Sequence, residues 1–188
     1  MLGLDLSFRF DRWYARLPRS PRDRGTLELC VVRPGPGQRA TPSEVRLEPE
    51  RGALGDRWGE GEEGAPSRPP GSEVSMMNVH VLRSVAGGDA ERMPLSGDNL
   101  VVDLDLTEEN LPPGTVLAVG EARLEVSPLP HRPCAKFARR FGPVAAKRIA
   151  RANRLGRRGR GLMCHVRRAG TVRVGDAVVV ESRPVQSR

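Results

Sequence analysis

At 188 residues, 38% hydrophobic but only 4% aromatic, the chain can build one domain whose core is filled by Val, Leu and Ala; length alone speaks against two. No apolar run reaches the about 18 residues that cross a bilayer, and the N-terminus lacks the basic-then-apolar order of a secretory signal. Net charge is +8, which raises the question of a polyanionic partner, and three widely spaced cysteines form no disulfide framework, so a reducing cytoplasm is the expected setting.

Residues 1–24 read as an N-terminal extension. Phe8, Phe10, Trp13 and Tyr14 alternate there with Arg9, Arg12 and Arg16. The pattern suits a short amphipathic element that packs on the domain, or an appendage for self-association or surface contact. Strand signals begin after Gly25. Thr26–Val32 is a β-rich run, Pro34–Gly37 is a turn, and Ser43–Glu48 alternates as a half-buried strand does. Gly59–Gly71, rich in Gly, Glu and Pro, reads as a loop, and Ser75–Val85 as a strand running into a short helix.

Asn99–Asp105 alternates again and Asn110–Gly114 turns the chain. Val116–Val119 and Ala122–Val126, separated by Gly120-Glu121, predict a hairpin. Pro143 after Gly142 marks a helix start, and Ala145, Ile149 and Ala152 share one face of a helix over Pro143–Leu155. Gly161–Val166 and Thr171–Val180, around a turn at Ala169-Gly170, predict a last hairpin, with residues 181–188 as a tail. Many short strands and few helices argue for a mainly β fold, a barrel or a sandwich.

Chemistry concentrates at Pro128-Leu-Pro-His-Arg-Pro-Cys-Ala-Lys136. Three prolines stiffen the segment. Arg132 and Lys136 flank Cys134, and nearby positive charge favours the thiolate, the form that attacks electrophiles and ligates soft metals. A half-buried ordinary cysteine remains the alternative. Arg132–Arg168 carries thirteen Lys or Arg and no Asp or Glu. Coding bias in a GC-rich genome accounts for Arg over Lys, because Lys136 and Lys147 are the only lysines. It does not account for the missing acids. Asp56 and Asp98 read as turn residues, Asn99 as a turn residue or a hydrogen-bond donor, and Cys30 as a core residue. Cys164 and His165 are neighbours on a strand and face opposite ways.

In order, Gly55-Asp-Arg57, Gly97-Asp-Asn-Leu100, Leu117–Val126, Arg132-Pro-Cys-Ala-Lys136 and Gly161–Val166 with Val174-Gly-Asp176 resemble the MOSC domain, over about residues 25–180. The resemblance implies a single β-barrel domain with a few peripheral α-helices, holding the molybdenum cofactor (molybdopterin) or transferring sulfur. In relatives that reduce N-hydroxylated compounds, the residue matching Cys134 ligates molybdenum. Arg57, Asn99, Arg132 and Lys136 are then expected to bind the cofactor, with Arg suited to bidentate phosphate contacts. An oxidoreductase of this type needs a separate electron-donor protein, because no flavin, haem or iron–sulfur motif is present. A sulfur carrier with a Cys134 persulfide needs a sulfur donor, since 188 residues leave no room for a desulfurase domain.

A nucleic-acid module is the reading from a third class, with Phe137 and Phe141 the only stacking residues near the basic stretch. Oligomeric state, including a dimer, is left open. Three features depart from the family pattern: Trp58 stands where His often follows Gly-Asp-Arg, the acidic Glu60-Gly-Glu-Glu63 replaces a loop often rich in Gly and His, and His131 sits where many relatives have a different residue.

Overall fold

A computed structural model describes residues 10–57 and 69–185. Phe8 and Arg9, the tail from residue 186, and Trp58 with the acidic Glu60-Gly-Glu-Glu63 lie outside the described residues. Among the described residues, ten strands are ordered β1 (Arg24–Cys30), β2 (Glu44–Glu48), β3 (Gly52–Ala53), β4 (Val74–Asn78), β5 (Leu100–Asp103), β6 (Val116–Val119), β7 (Ala122–Val126), β8 (Leu162–Arg168), β9 (Gly170–Arg173) and β10 (Ala177–Ser182). Seven of them close a barrel in the order β1-β10-β6-β7-β8-β4-β5, and β3-β2-β9 form a small separate sheet. The expected mainly β barrel is the fold.

Period-two sequence sets the inward faces. Leu117 and Val119 of β6, with Ala122, Leu124 and Val126 of β7, fill the barrel interior beside Leu27, Met76, Leu100 and Leu162. The predicted β6–β7 hairpin forms with Val119 opposite Ala122. β4 and β5 pair in parallel, so the chain between them must cross over. Helix α1 (Val79–Val85) and a 3-10 turn (Ala90–Ser96) make that crossover. Asn78 caps α1 by accepting from the amides of His80 and Val81.

A second core lies between the barrel's outer face and the helices. Phe137, Phe141, Ile149 and Ala152 of helix α2 (Ala135–Arg154) pack there with Met77, Val101, Leu82, Phe10 and Trp13. Full burial of one such side chain contributes about 1.5–3 kcal/mol.

Two expectations are corrected. The helix was expected to begin at Pro143, but helical structure starts at Ala135. Gly142, at φ 86° and ψ 162°, breaks it, so Pro143 opens only its second half. Prolines before residue 135 read as continuing turn and hid the first half. The last hairpin is also absent. β8 bonds β4 through Leu162–Cys164 and β7 through Cys164–Arg168, and β9 does not fold back onto it. β9 pairs instead with β2, Val172 opposite Val45, and Arg173 Nε lies 2.9 Å from Glu44 Oε2.

Candidate functional site

Cys134 sits at the N-cap of α2 and is exposed; its side chain makes no capping hydrogen bond. Cys30 and Cys164 are buried. Burial, reinforced by Asp176, pushes the Cys30 thiol up to about 11. Burial likewise pushes Cys164 up to about 12. Among the three thiols only Cys134 faces solvent. It does so on the wall of a cavity of about 500 Å³, within the usual size of a small-molecule site of about 300–1,000 Å³.

Eight cations line that cavity: Arg33, Arg39, Arg57, Arg132, Lys136, Arg139, Arg140 and Arg160. Among the described residues no Asp or Glu lines it. Packing so many like charges together is unfavourable unless the structure holds them, and two buried acids behind the wall do so.

Asp98 is fully buried, and Arg160, 7% exposed at its side chain, places Nη1 2.6 Å from Asp98 Oδ1. Arg160 Nη2 also donates to the Ser96 carbonyl at 3.2 Å, and the guanidinium lies 5.1 Å from the Phe137 ring centre. Burial alone would raise the Asp98 carboxyl. Arg160, His131 and hydrogen bonds from Arg160 and Ser96 outweigh it and hold the group below the ordinary carboxylate value.

Asp56 plays the same part for Arg33. Arg33 Nε donates to Oδ1 at 2.8 Å, and Nη2 lies 2.5 Å from Oδ2. Both acids were read as turn residues. Their side chains instead fix arginines on the cavity wall.

Asn99 is 1% exposed and is not part of the cavity wall. Its amide nitrogen donates to Asp56 and to the Val31 carbonyl, and its amide oxygen accepts from the Ser75 backbone and hydroxyl. The structure therefore gives it a supporting role one layer behind the cavity, tying Asp56 to β4. Arg57, Arg132 and Lys136 are brought together with Cys134 on the wall. Sequence reasoning missed Arg33, Arg39, Arg139, Arg140 and Arg160. One available signal was Gly159-Arg160-Gly161, where small neighbours admit the chain to a tight place. Gly161 shows how tight: an added Cβ would lie 1.9 Å from the Met76 carbonyl oxygen.

Several polar atoms of the wall are buried without a hydrogen-bond partner: Arg39 Nε, Arg160 Nε and His131 Nδ1. Buried polar groups normally find partners, so these three atoms mark incomplete pairing around the cavity. Burial and repulsion from Arg140 and Arg33 lower the Arg39 pKa, a direct sign of crowded positive charge. Chemically the site can take an anion, and it offers a single soft ligand, Cys134. A molybdenum cofactor fits both features, because it carries a phosphate and brings its own further metal ligands; a bare metal ion held by protein side chains alone does not. Among the described residues no group of three or more His, Cys, Asp or Glu could hold an ion. Phe137 and Phe141 point into the second core, 2% and 8% exposed, so neither offers a ring for base stacking.

A larger cavity of about 890 Å³, lined by Tyr14, Asn78, Asp105 and Arg157 among others, lies beneath the N-terminal segment. It holds neither the thiol nor the cation cluster, and size alone does not make it the chemical site.

The profile of the MOSC domain matches residues 70–179. Among solved structures, YuaD from Bacillus subtilis is 20% identical with a TM-score of 0.61, over 82% of this chain and 94% of that one. YiiM from Escherichia coli is 24% identical with a TM-score of 0.57, over 87% of this chain and 72% of that one. A search of curated proteins finds no match. The solved structures share the fold, the profile spans more than half of the sequence, and the chain belongs to the MOSC domain family.

Proposed function

We propose that this protein binds the molybdenum cofactor in the cationic cavity, with Cys134 as thiolate ligand, and serves as an oxidoreductase component that reduces N-hydroxylated compounds. The MOSC family is associated with molybdenum cofactor binding. The observation that carries the reading is an exposed thiol on a wall of eight cations, with no carboxylate on it among the described residues. When bound, the cofactor supplies a metal centre for two-electron chemistry. The chain's own residues bind and orient. Arg57, Arg132 and Lys136 are placed for phosphate contacts, Lys as a point charge and Arg as a fork. Arg33 and Arg160, fixed by Asp56 and Asp98, keep the wall positive without moving when charge arrives.

Expression in a host able to make the cofactor, followed by metal analysis, tests the reading. Stoichiometric molybdenum, lost in Cys134→Ser with the fold intact, is the expected result. Reduction of an N-hydroxylated base by cofactor-loaded protein with an artificial electron donor tests the activity, and a separate protein is the expected donor in the cell.

One observation favours a second reading, a sulfur carrier. Cys30 and Cys164 are buried, so neither is exposed to attack a persulfide on Cys134 and release its sulfur prematurely. Cofactor-loaded protein that fails to reduce N-hydroxylated bases, while Cys134 accepts and releases sulfane sulfur, selects this reading.

A further inference from the structure

His131 differs from everything else charged or titratable on the cavity wall, because it alone can accept a hydrogen bond through a ring nitrogen. Its imidazole lines the cavity, its side chain is 11% exposed, and its Nδ1 is buried 3.6 Å from Asp98 Oδ1. A shift of about 0.7 Å would bring that pair to ordinary hydrogen-bond distance. If the proton were on Nε2 instead, the Nδ1 lone pair would face a buried carboxylate, an uncompensated repulsion where the dielectric is low. The Nδ1–H tautomer avoids this and leaves Nε2 with its lone pair.

Asp98 does not hold a second proton on the ring, because Arg160 already neutralises it. Burial and the Arg160 charge push the His131 pKa down to about 3, against the opposing pull of Asp98. The ring is neutral. Asn153 fixes the backbone of both partners: its Nδ2 donates to the His131 carbonyl at 2.7 Å, and its Oδ1 accepts from the Arg160 amide at 3.0 Å.

We infer that His131 is a ligand-selecting residue: oriented by Asp98, its Nε2 accepts a hydrogen bond inside a cavity whose other nitrogen-bearing side chains, among the described residues, are all cationic donors. The site therefore prefers an anion that also carries an O–H or N–H donor over an anion that only accepts. Either the cofactor or a substrate hydroxyl or amine could supply that donor. The inference rests on the cavity being the ligand site and adds a neutral ring acceptor among its cations.

The test uses the cofactor-free protein and two inorganic probes. Near neutral pH phosphate retains at least one O–H, whereas sulfate has none and bears the larger average charge. A cavity of cations alone favours sulfate or is indifferent. An acceptor at Nε2 favours phosphate, by about three- to tenfold for one net hydrogen bond. His131→Phe keeps a ring and removes the acceptor, so it should bind sulfate as before and lose the phosphate preference.

Long-range proton–nitrogen NMR on ring-labelled wild-type protein reads the tautomer directly, with that variant assigning His131 among the three histidines. Should the variant fail to fold, the tautomer and the wild-type anion preference still decide. Equal or sulfate-favouring affinity, binding of neither anion, or a proton on Nε2 overturns the inference. Each of these leaves the Cys134 metal reading standing, and that reading fails separately, by metal analysis. A donor supplied by the cofactor would show as weaker molybdenum retention in His131→Phe; one supplied by substrate leaves retention unchanged and raises KM.

Discussion

Arg160→Met is the most informative stability perturbation. The substitution preserves an apolar stem beside Phe137 but leaves Asp98 fully buried with no cation against it. Removing one partner of a buried ion pair costs about 3–5 kcal/mol, chiefly because an uncompensated charge remains. For a chain of this length, about 2–4 °C per kcal/mol turns that into a fall in Tm of about 6–20 °C. Adding Asp98→Asn removes the stranded charge and should restore more than half of the loss. Urea denaturation at neutral pH, on single and double variants, measures both steps. A loss below about 1 kcal/mol in Arg160→Met, or a double variant no better than the single, would refute the claim that the pair is a structural unit behind the cavity.

Other outcomes follow from the same coordinates. Native-state alkylation at neutral pH, read by mass spectrometry, should label Cys134 alone, because Cys30 and Cys164 are buried and their thiols stand near 11 and 12; a second rapid label contradicts this. Gly161→Ala should cost about 2–6 kcal/mol, since φ is +86° and the new Cβ would meet the Met76 carbonyl oxygen at 1.9 Å; a Tm within a degree of wild type would contradict the close approach. Arg132→Ala should weaken anion binding in the cavity by about 1.5–3 kcal/mol, the range for a hydrogen bond to a charged group, as read by calorimetry with phosphate. Asp98, held below the ordinary carboxylate value, stabilises the fold above pH about 4, and that contribution is lost as pH falls toward its depressed pKa. Asp98→Asn should therefore flatten the acid end of the stability profile, and an unchanged slope would contradict the assignment.

Much of the barrel was legible because its strands obey local rules. The β6–β7 hairpin follows from alternation around Gly120-Glu121, and the apolar run Ser75–Val85 reads as a strand entering a short helix, which the structure caps at Asn78. What local rules cannot give is which edge a strand finds. β9 looks like the partner of β8 in sequence, yet it pairs with β2, from the other half of the chain. The same limit applies at the site. Cys134, Arg132 and Lys136 lie within one short segment and could be seen together. Arg33 and Arg39 reach the cavity from the loop after β1 and Arg160 from the turn before β8, and the acids that hold Arg33 and Arg160, Asp56 and Asp98, resemble ordinary turn residues until their partners are known. Asn99 shows the converse: its sequence setting suggested a ligand donor, and the fold spends that amide on Asp56, Val31 and Ser75.

The central claim is that this cavity holds a molybdenum cofactor through Cys134. Metal analysis of the wild-type protein and of Cys134→Ser, both purified from a cofactor-competent host, tests it most directly. The account predicts stoichiometric molybdenum in the wild type and almost none in the variant, with Tm values that agree because Cys134 is exposed and uncapped. Equal molybdenum in both proteins, or none in the wild type under conditions that load another molybdenum protein in the same cells, would contradict it.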